Sequence, residues 1–120
     1  MKKIYHLKTC DTCRKILNQI PDLDQFELQD IKSNPITASQ LEEMKNLSGS
    51  YESLFSKRAK LYKERGLKDT KLTEQDYKNL ILEHYTFLSR PVAIVEGRIF
   101  IGNSSKTVGE LISCKKVNRV

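Results

Sequence analysis

Residues 3 to 15 read Lys3-Ile-Tyr-His-Leu-Lys-Thr-Cys10-Asp-Thr-Cys13-Arg-Lys15, and the way this stretch divides decides the fold. Lys3 to Leu7 has the apolar content of a short buried strand. It leads without a break into a Cys-x-x-Cys, after which Ile16, Leu17 and Ile20 fall on one helical face and Pro21 ends the helix. The opening is strand, cysteine loop, helix. Further on, Gln25 to Gln29 alternates polar and apolar, which predicts a second strand with one face buried, and two strands around a helix make a βαβ unit.

From Asn34-Pro35 the pattern turns helical. Thr37 with Gln40 reads as a capping box, followed by Leu41, Met44 and Leu47 at helical spacing, and Ser48-Gly49-Ser50 breaks that helix. Tyr51 to Tyr62 is expected to form a basic helix or pair of helices, with Leu54, Phe55, Leu61 and Tyr62 as its apolar side and Gly66 as its stop. Thr73 caps a further helix in which Tyr77, Leu80, Ile81 and His84 share a face. After Pro91, Val92 to Val95 and Arg98 to Ile101 flank a Glu96-Gly97 turn, which predicts an antiparallel hairpin. Asn103 or Ser104 then caps a last helix carrying Val108, Leu111 and Ile112. The predicted order is β-α-β, an all-helical insertion over about residues 35–85, then β-β-α, in one α/β domain spanning residues 1–120.

Composition limits what such a chain does. It has 120 residues, 38% hydrophobic and 30% charged, enough apolar matter for a core and enough charge for a solvated surface. No apolar run approaches the roughly 20 residues of a membrane span, and the N-terminus lacks the apolar stretch of a signal peptide, so a cytoplasmic protein is expected. The net charge of +6 gathers in two places. Residues 1–15 are +4, and residues 53–68, with Lys57, Arg58, Lys60, Lys63, Arg65 and Lys68 against Glu64, are +5. The second cluster reads as a solvated face, an oxyanion site or a surface for an acidic partner. Direct nucleic-acid binding is not expected, because no helix-turn-helix, zinc-finger or aromatic RNA-binding signature accompanies the charge.

Three cysteines do not make a disulfide scaffold, and in a reducing compartment a Cys-x-x-Cys points to redox chemistry or a metal. At a strand-to-helix junction the first sulfur meets the unpaired N–H groups and positive dipole end of the helix, which favour a thiolate. Only the thiolate attacks disulfides and electrophiles, so Cys10 is the candidate nucleophile. Cys13, one turn on, can resolve a mixed disulfide formed at Cys10. A zinc site would need two more ligands from His6, His84 and the distant Cys114, with no second paired motif, so no metal is expected. Cys114 reads as a small packing or surface residue. His6 reads either as a packing histidine or as a base below the cysteine loop.

Cys10-Asp-Thr-Cys13-Arg-Lys15 is followed, far along the chain, by Leu88-Ser-Arg90-Pro91-Val92. With the Ile4-Tyr-His6 lead-in, Leu54-Phe-Ser-Lys-Arg58, Tyr62, Gly66, Glu83-His84, Gly97-Arg98 and Gly102, the chain resembles the ArsC/Spx family of glutaredoxin-related proteins over almost its whole length. The motifs are specific together and in this order. The resemblance implies a thioredoxin-like fold with a helical insertion, a cis Pro91 facing the active cysteine, and Arg90 beside Cys10, where its permanent charge would stabilise a thiolate or hold an oxyanion.

Arsenate-reducing members of the family use one cysteine and three arginines. The resemblance matches Cys10 and Arg90, sets the other two arginine positions on Ser56 and Ile101 with Arg58 close to the first, and puts Cys13 where that branch commonly has serine. The Spx branch has the Cys-x-x-Cys, a Ser-x-Arg like Ser56-Lys57-Arg58, and a glycine like Gly102. Two functions are therefore expected. One is an arsenate reductase-like thiol–disulfide oxidoreductase in which Cys10 attacks, Cys13 resolves, Arg90 stabilises the anion and Pro91 shapes the groove. Thr12, Arg14, His6 and Arg58 would support it, with no bound cofactor and with glutathione/glutaredoxin or thioredoxin as reductant. The other is an Spx-like redox-sensing regulator that contacts the RNA polymerase α subunit, switched by the Cys10–Cys13 disulfide. A family member that kept the fold and cysteines but lost both partners is a third outcome.

Overall fold

The computed structural model describes residues 2–117, with side chains through residue 113. Cys114 lies in the last helix, but its side chain is outside the described residues, and so is the expectation attached to it. The chain divides into two units, one formed by residues 1–34 with 90–120 and the other by residues 35–89.

The first unit carries a four-stranded sheet in the order β2-β1-β3-β4. Strand β1 (Lys2–His6) is followed by α1 (Asp11–Asn18) and then by β2 (Glu27–Asp30), which pairs parallel to β1 with Lys3 opposite Glu27 and His6 opposite Asp30. This is the βαβ opening. Strand β3 (Val92–Val95) lies antiparallel to β1, and all four of its residues are buried, as the unbroken apolar run of a central strand requires. Its hairpin partner β4 (Arg98–Ile101) is reached through Glu96 and Gly97, at φ 48° and 81°. Two consecutive positive φ values make a tight turn whose twist suits the strands. Helix α5 (Ser105–Val117) closes the unit, with the Ser104 hydroxyl accepting the Thr107 N–H at 3.1 Å. Ile4, Leu17, Ile20, Phe26, Ala93, Val95, Phe100 and Leu111 form its core.

Here β2 departs from expectation. Leu23–Gln25 form a 3-10 turn, so the strand starts two residues later than the alternation suggested. Phe26 is buried ahead of the strand, whereas Leu28 is 43% exposed and Gln29 is buried. The polar Gln29 tolerates burial because its side-chain amide donates to the Asn34 carbonyl at 2.9 Å.

In the second unit, both predicted helix caps form as capping boxes. Thr37 and Gln40 exchange side-chain-to-backbone bonds at the head of α2 (Ala38–Ser48), and Thr73 and Asp76 do so at the head of α4 (Glu74–Glu83). Gly49, at φ 101°, ends α2 in the left-handed conformation that its lack of Cβ permits. The basic helix expected over Tyr51–Tyr62 shrinks to a 3-10 turn at Glu52–Leu54 and a five-residue α3 (Lys60–Glu64). The reason is where the backbone donors go. The Glu74 carboxylate accepts the N–H groups of Tyr51 and Glu52 at 2.7 and 3.0 Å, Ser56 N–H donates to the Phe87 carbonyl, and Ser89 N–H to that of Leu54, both at 2.8 Å. Phe55 is therefore extended, bridged to Leu88, with its ring stacked on Phe87 at 5.3 Å and edge-on to Tyr62. His84 does not close the α4 face either. It leaves the helix as its C-cap, and its Nδ1 accepts the Thr86 N–H.

Candidate functional site

The site is built on the turn between β1 and α1. Cys10 is the N-cap of α1, with extended backbone (φ −89°, ψ 117°), and its carbonyl accepts the Arg14 N–H at 3.1 Å. Its side chain makes no ordinary capping bond, so the sulfur is free to meet the helix's leading N–H groups. The Thr12 and Cys13 N–H groups and the Cys13 thiol are the neighbours whose polarity favours its anion. Partial burial pushes the Cys10 thiol up. The Cys13 N–H and thiol, the Thr12 N–H and the Arg90 charge together outweigh that burial, and the net shift is downward.

Cys13 is its opposite. It is fully buried, with 0% of its surface exposed. Burial, and then the neighbouring Cys10, push its thiol up to about 11 against partial relief from the Leu7 backbone and Arg90. The Leu7 carbonyl accepts the Cys10 N–H at 3.0 Å. Two thiols of equal chemistry are thus driven apart, the half-exposed one toward the anion and the buried one toward the protonated form. Both are free thiols.

Arg90, from the segment entering β3, brings its positive charge to both sulfurs. The Arg90–Pro91 peptide is cis, and the Pro91 carbonyl accepts the Gly102 N–H at 2.9 Å, which ties this segment to the end of β4. Cys10, Cys13, Thr12, Arg90 and Pro91 all belong to one unit. Arg14, by contrast, is exposed and pairs with Asp11 across the first turn of α1. His6 ends β1, and its imidazole is pushed toward the neutral form by burial, against the pull of Asp30. Its Nδ1 is buried with no hydrogen-bond partner among the described residues. Arg58 is exposed in the second unit, between the Glu52–Leu54 turn and α3. Of the two positions the resemblance set against arginines, Ser56 lies in the second unit and Ile101 ends β4. No group of three or more His, Cys, Asp or Glu side chains able to hold a metal ion occurs among the described residues, and no helix among them is long and apolar enough to cross a membrane.

One residue escaped the sequence reading. Asp30, the last of β2, accepts the Lys8 N–H at 2.9 Å and the Ser33 hydroxyl at 2.8 Å, which holds its carboxyl below the usual range. Its only signal in the sequence is an acidic residue closing a strand, a common surface pattern.

The model of the ArsC family matches residues 5–111. Among curated proteins, the chain is 26% identical to the uncharacterised protein YfgD of Escherichia coli (strain K12), over 92% of this chain and 95% of that one. It is also 26% identical to the global transcriptional regulator Spx 2 of Bacillus cereus, over 91% and 85%. Among solved structures, a possible arsenate reductase from Streptococcus mutans superimposes with a TM-score of 0.73 at 28% identity, covering 92% of this chain and 97% of that one. An ArsC family related protein from Bacteroides fragilis gives 0.77 at 20% identity, covering 92% and 96%. The α/β, thioredoxin-like fold with a helical insertion is borne out.

Proposed function

The chain belongs to the ArsC family, and from that premise we propose that it is a thiol–disulfide oxidoreductase of arsenate reductase-like type working through Cys10 and Cys13. The observation that carries this reading is the placement of the pair, Cys10 partly exposed as the N-cap of α1 and Cys13 fully buried one turn on, with Arg90 favouring the anion of both and the two thiols shifted in opposite directions. The Cys10 thiolate attacks one sulfur of a partner disulfide, a mixed disulfide forms, and the partner's other sulfur leaves as a thiol. That step removes the negative charge whose presence helps hold the Cys13 proton. Cys13 then gives up its proton, attacks Cys10 Sγ and expels the second partner thiol. The two cysteines have lost two electrons and two protons, and glutathione with glutaredoxin, or thioredoxin, returns them. No resident cofactor enters the cycle. Thr12, in the first turn of α1, supports the nucleophile through its N–H, while His6, Arg14 and Arg58 are proposed only as outer supporting groups.

The test uses oxidised glutathione and reduced protein. Cys13→Ser is expected to accumulate a glutathione adduct on Cys10, whereas wild type passes on to the internal disulfide. Absence of the adduct, or its equal formation in Cys10→Ser, would reject the reading. Arsenate turnover with glutathione and glutaredoxin, or with thioredoxin, above a Cys10→Ser control is the test for arsenate itself.

A second reading is an Spx-like redox-sensing regulator that binds the RNA polymerase α subunit. It is favoured by the likeness to a transcriptional regulator over most of both chains, and by Ser56 and Ile101 at positions set against arginines. Capture of the polymerase α C-terminal domain by the oxidised or the reduced protein would support it, and capture by neither would reject it.

A further inference from the structure

Both cysteines depend on the three residues between β1 and Cys10. The Leu7 carbonyl holds the Cys10 N–H at 3.0 Å, and the polarity of the Leu7 backbone offsets part of the burial that raises Cys13. Leu7 itself lies just past the last paired residue of β1, His6, so the sheet ladder does not fix Leu7, Lys8 or Thr9. The Lys8 N–H is instead taken by the Asp30 carboxylate at 2.9 Å. Asp30 is in turn well anchored. It sits in register opposite His6 at the end of the parallel pair, Ile31 N–H donates to the His6 carbonyl at 2.9 Å, and the Ser33 hydroxyl holds the other carboxylate oxygen at 2.8 Å.

We propose that Asp30 is a positioning residue of the cysteine site, whose carboxylate fixes the Leu7-to-Cys10 turn by accepting the Lys8 N–H and so sets the two thiols against the head of α1. The proposal rests on Cys10 being the nucleophile, and it assigns to β2 a part in the site that the cysteine motif alone does not contain.

Geometry and charge pull in opposite directions here, which makes the idea decidable. A carboxylate near a thiol repels the thiolate, so an Asp30 that acted by charge alone would slow Cys10, and removing it would speed Cys10 up. An Asp30 that acts by holding the turn does the reverse. Asp30→Ala removes charge and acceptor together, whereas Asp30→Asn removes the charge and keeps an oxygen for the Lys8 N–H. His6, Cys13 and Arg90 remain in place in both variants.

The experiment follows alkylation of Cys10 by iodoacetamide from pH 5 to 10 in the full reduced chain, with the labelled site identified by peptide mass. The expected result is that Asp30→Ala raises the apparent Cys10 pKa by about half a unit or more and slows alkylation at neutral pH about threefold, a thiolate-fraction effect. Asp30→Asn should stay within about twofold of wild type or react faster. Ser33→Ala, which loosens the carboxylate only, should fall between. The proposal is overturned if Asp30→Ala reacts as fast as wild type or faster while its circular dichroism is unchanged, or if Asp30→Asn is slowed as much as Asp30→Ala. A variant that does not fold is replaced by Asp30→Ser, to which the same criteria apply. A wild-type profile with no lowered thiol would reject the nucleophile reading itself, a different result from either.

Discussion

Cys10 and Cys13 differ by three positions in sequence and by their whole environment in space. A thiol whose folded pKa is raised contributes stability that is full below its ordinary value, 9.0, and is lost as pH climbs to about 11. Cys10 has the opposite sign. Its folded value is lowered, so its contribution is present above 9.0 and disappears as pH falls through the folded pKa. Denaturant unfolding of the reduced chain should therefore lose stability between pH 9 and 11 more steeply in wild type than in Cys13→Ala, and equal slopes would refute the raised Cys13 value. At this scale the sequence was informative about residue types and silent about main-chain atoms. Cys10, Cys13 and Arg90 are recognisable from their motifs, and the helix-head argument comes from spacing. The Leu7 carbonyl that holds the Cys10 N–H and the Asp30 carboxylate that holds the Lys8 N–H bond to main-chain atoms, which no residue pattern announces. Arg14 shows the converse, since charge beside a cysteine in sequence turned to Asp11 in space.

Elements were legible where they are specified locally. Each capping box rests on residues three apart, so Thr37 with Gln40 could be read as a pair and Thr73 as a cap. Replacing Thr37 or Thr73 by Ala should cost about 1 kcal/mol each, measured by urea unfolding. The β3–β4 turn is equally local, with Glu96 and Gly97 both at positive φ. Gly97→Ala should destabilise by about 1 kcal/mol and Glu96→Asn should stabilise by a few tenths, because asparagine tolerates the left-handed region better than glutamate. Thermal melts of the two variants shifting in opposite directions would bear this out. Elements failed where partners are remote. Nothing near Tyr51–Tyr62 reveals that Glu74 takes its N–H groups or that Phe55 bridges Leu88, and these distant bonds defeat the local helical periodicity. Strand β2 failed for a related reason. As the edge of the sheet it has only one neighbouring strand, so Leu28 can stay exposed despite an alternating pattern.

For the whole molecule, the sequence order β-α-β, helices, β-β-α maps onto one unit interrupted by another, with the cysteines, Arg90 and Pro91 all in the interrupted unit. That mapping explains why a site whose parts are far apart in sequence is assembled on one sheet. Strands β1 and β3 are neighbours, and each delivers one part of the site at its end, the cysteine loop from β1 and the Arg90–Pro91 segment into β3. The second positive cluster, around Arg58, belongs to the inserted unit. Whether Cys10 and Cys13 work as a redox pair is read from the mass of the intact chain and its peptides after mild diamide treatment. A redox pair yields a chain lighter by two hydrogens, with Cys10 joined to Cys13 and both thiols restored by dithiothreitol. Two free thiols at those positions, or a link from Cys10 to Cys114 instead, would contradict it.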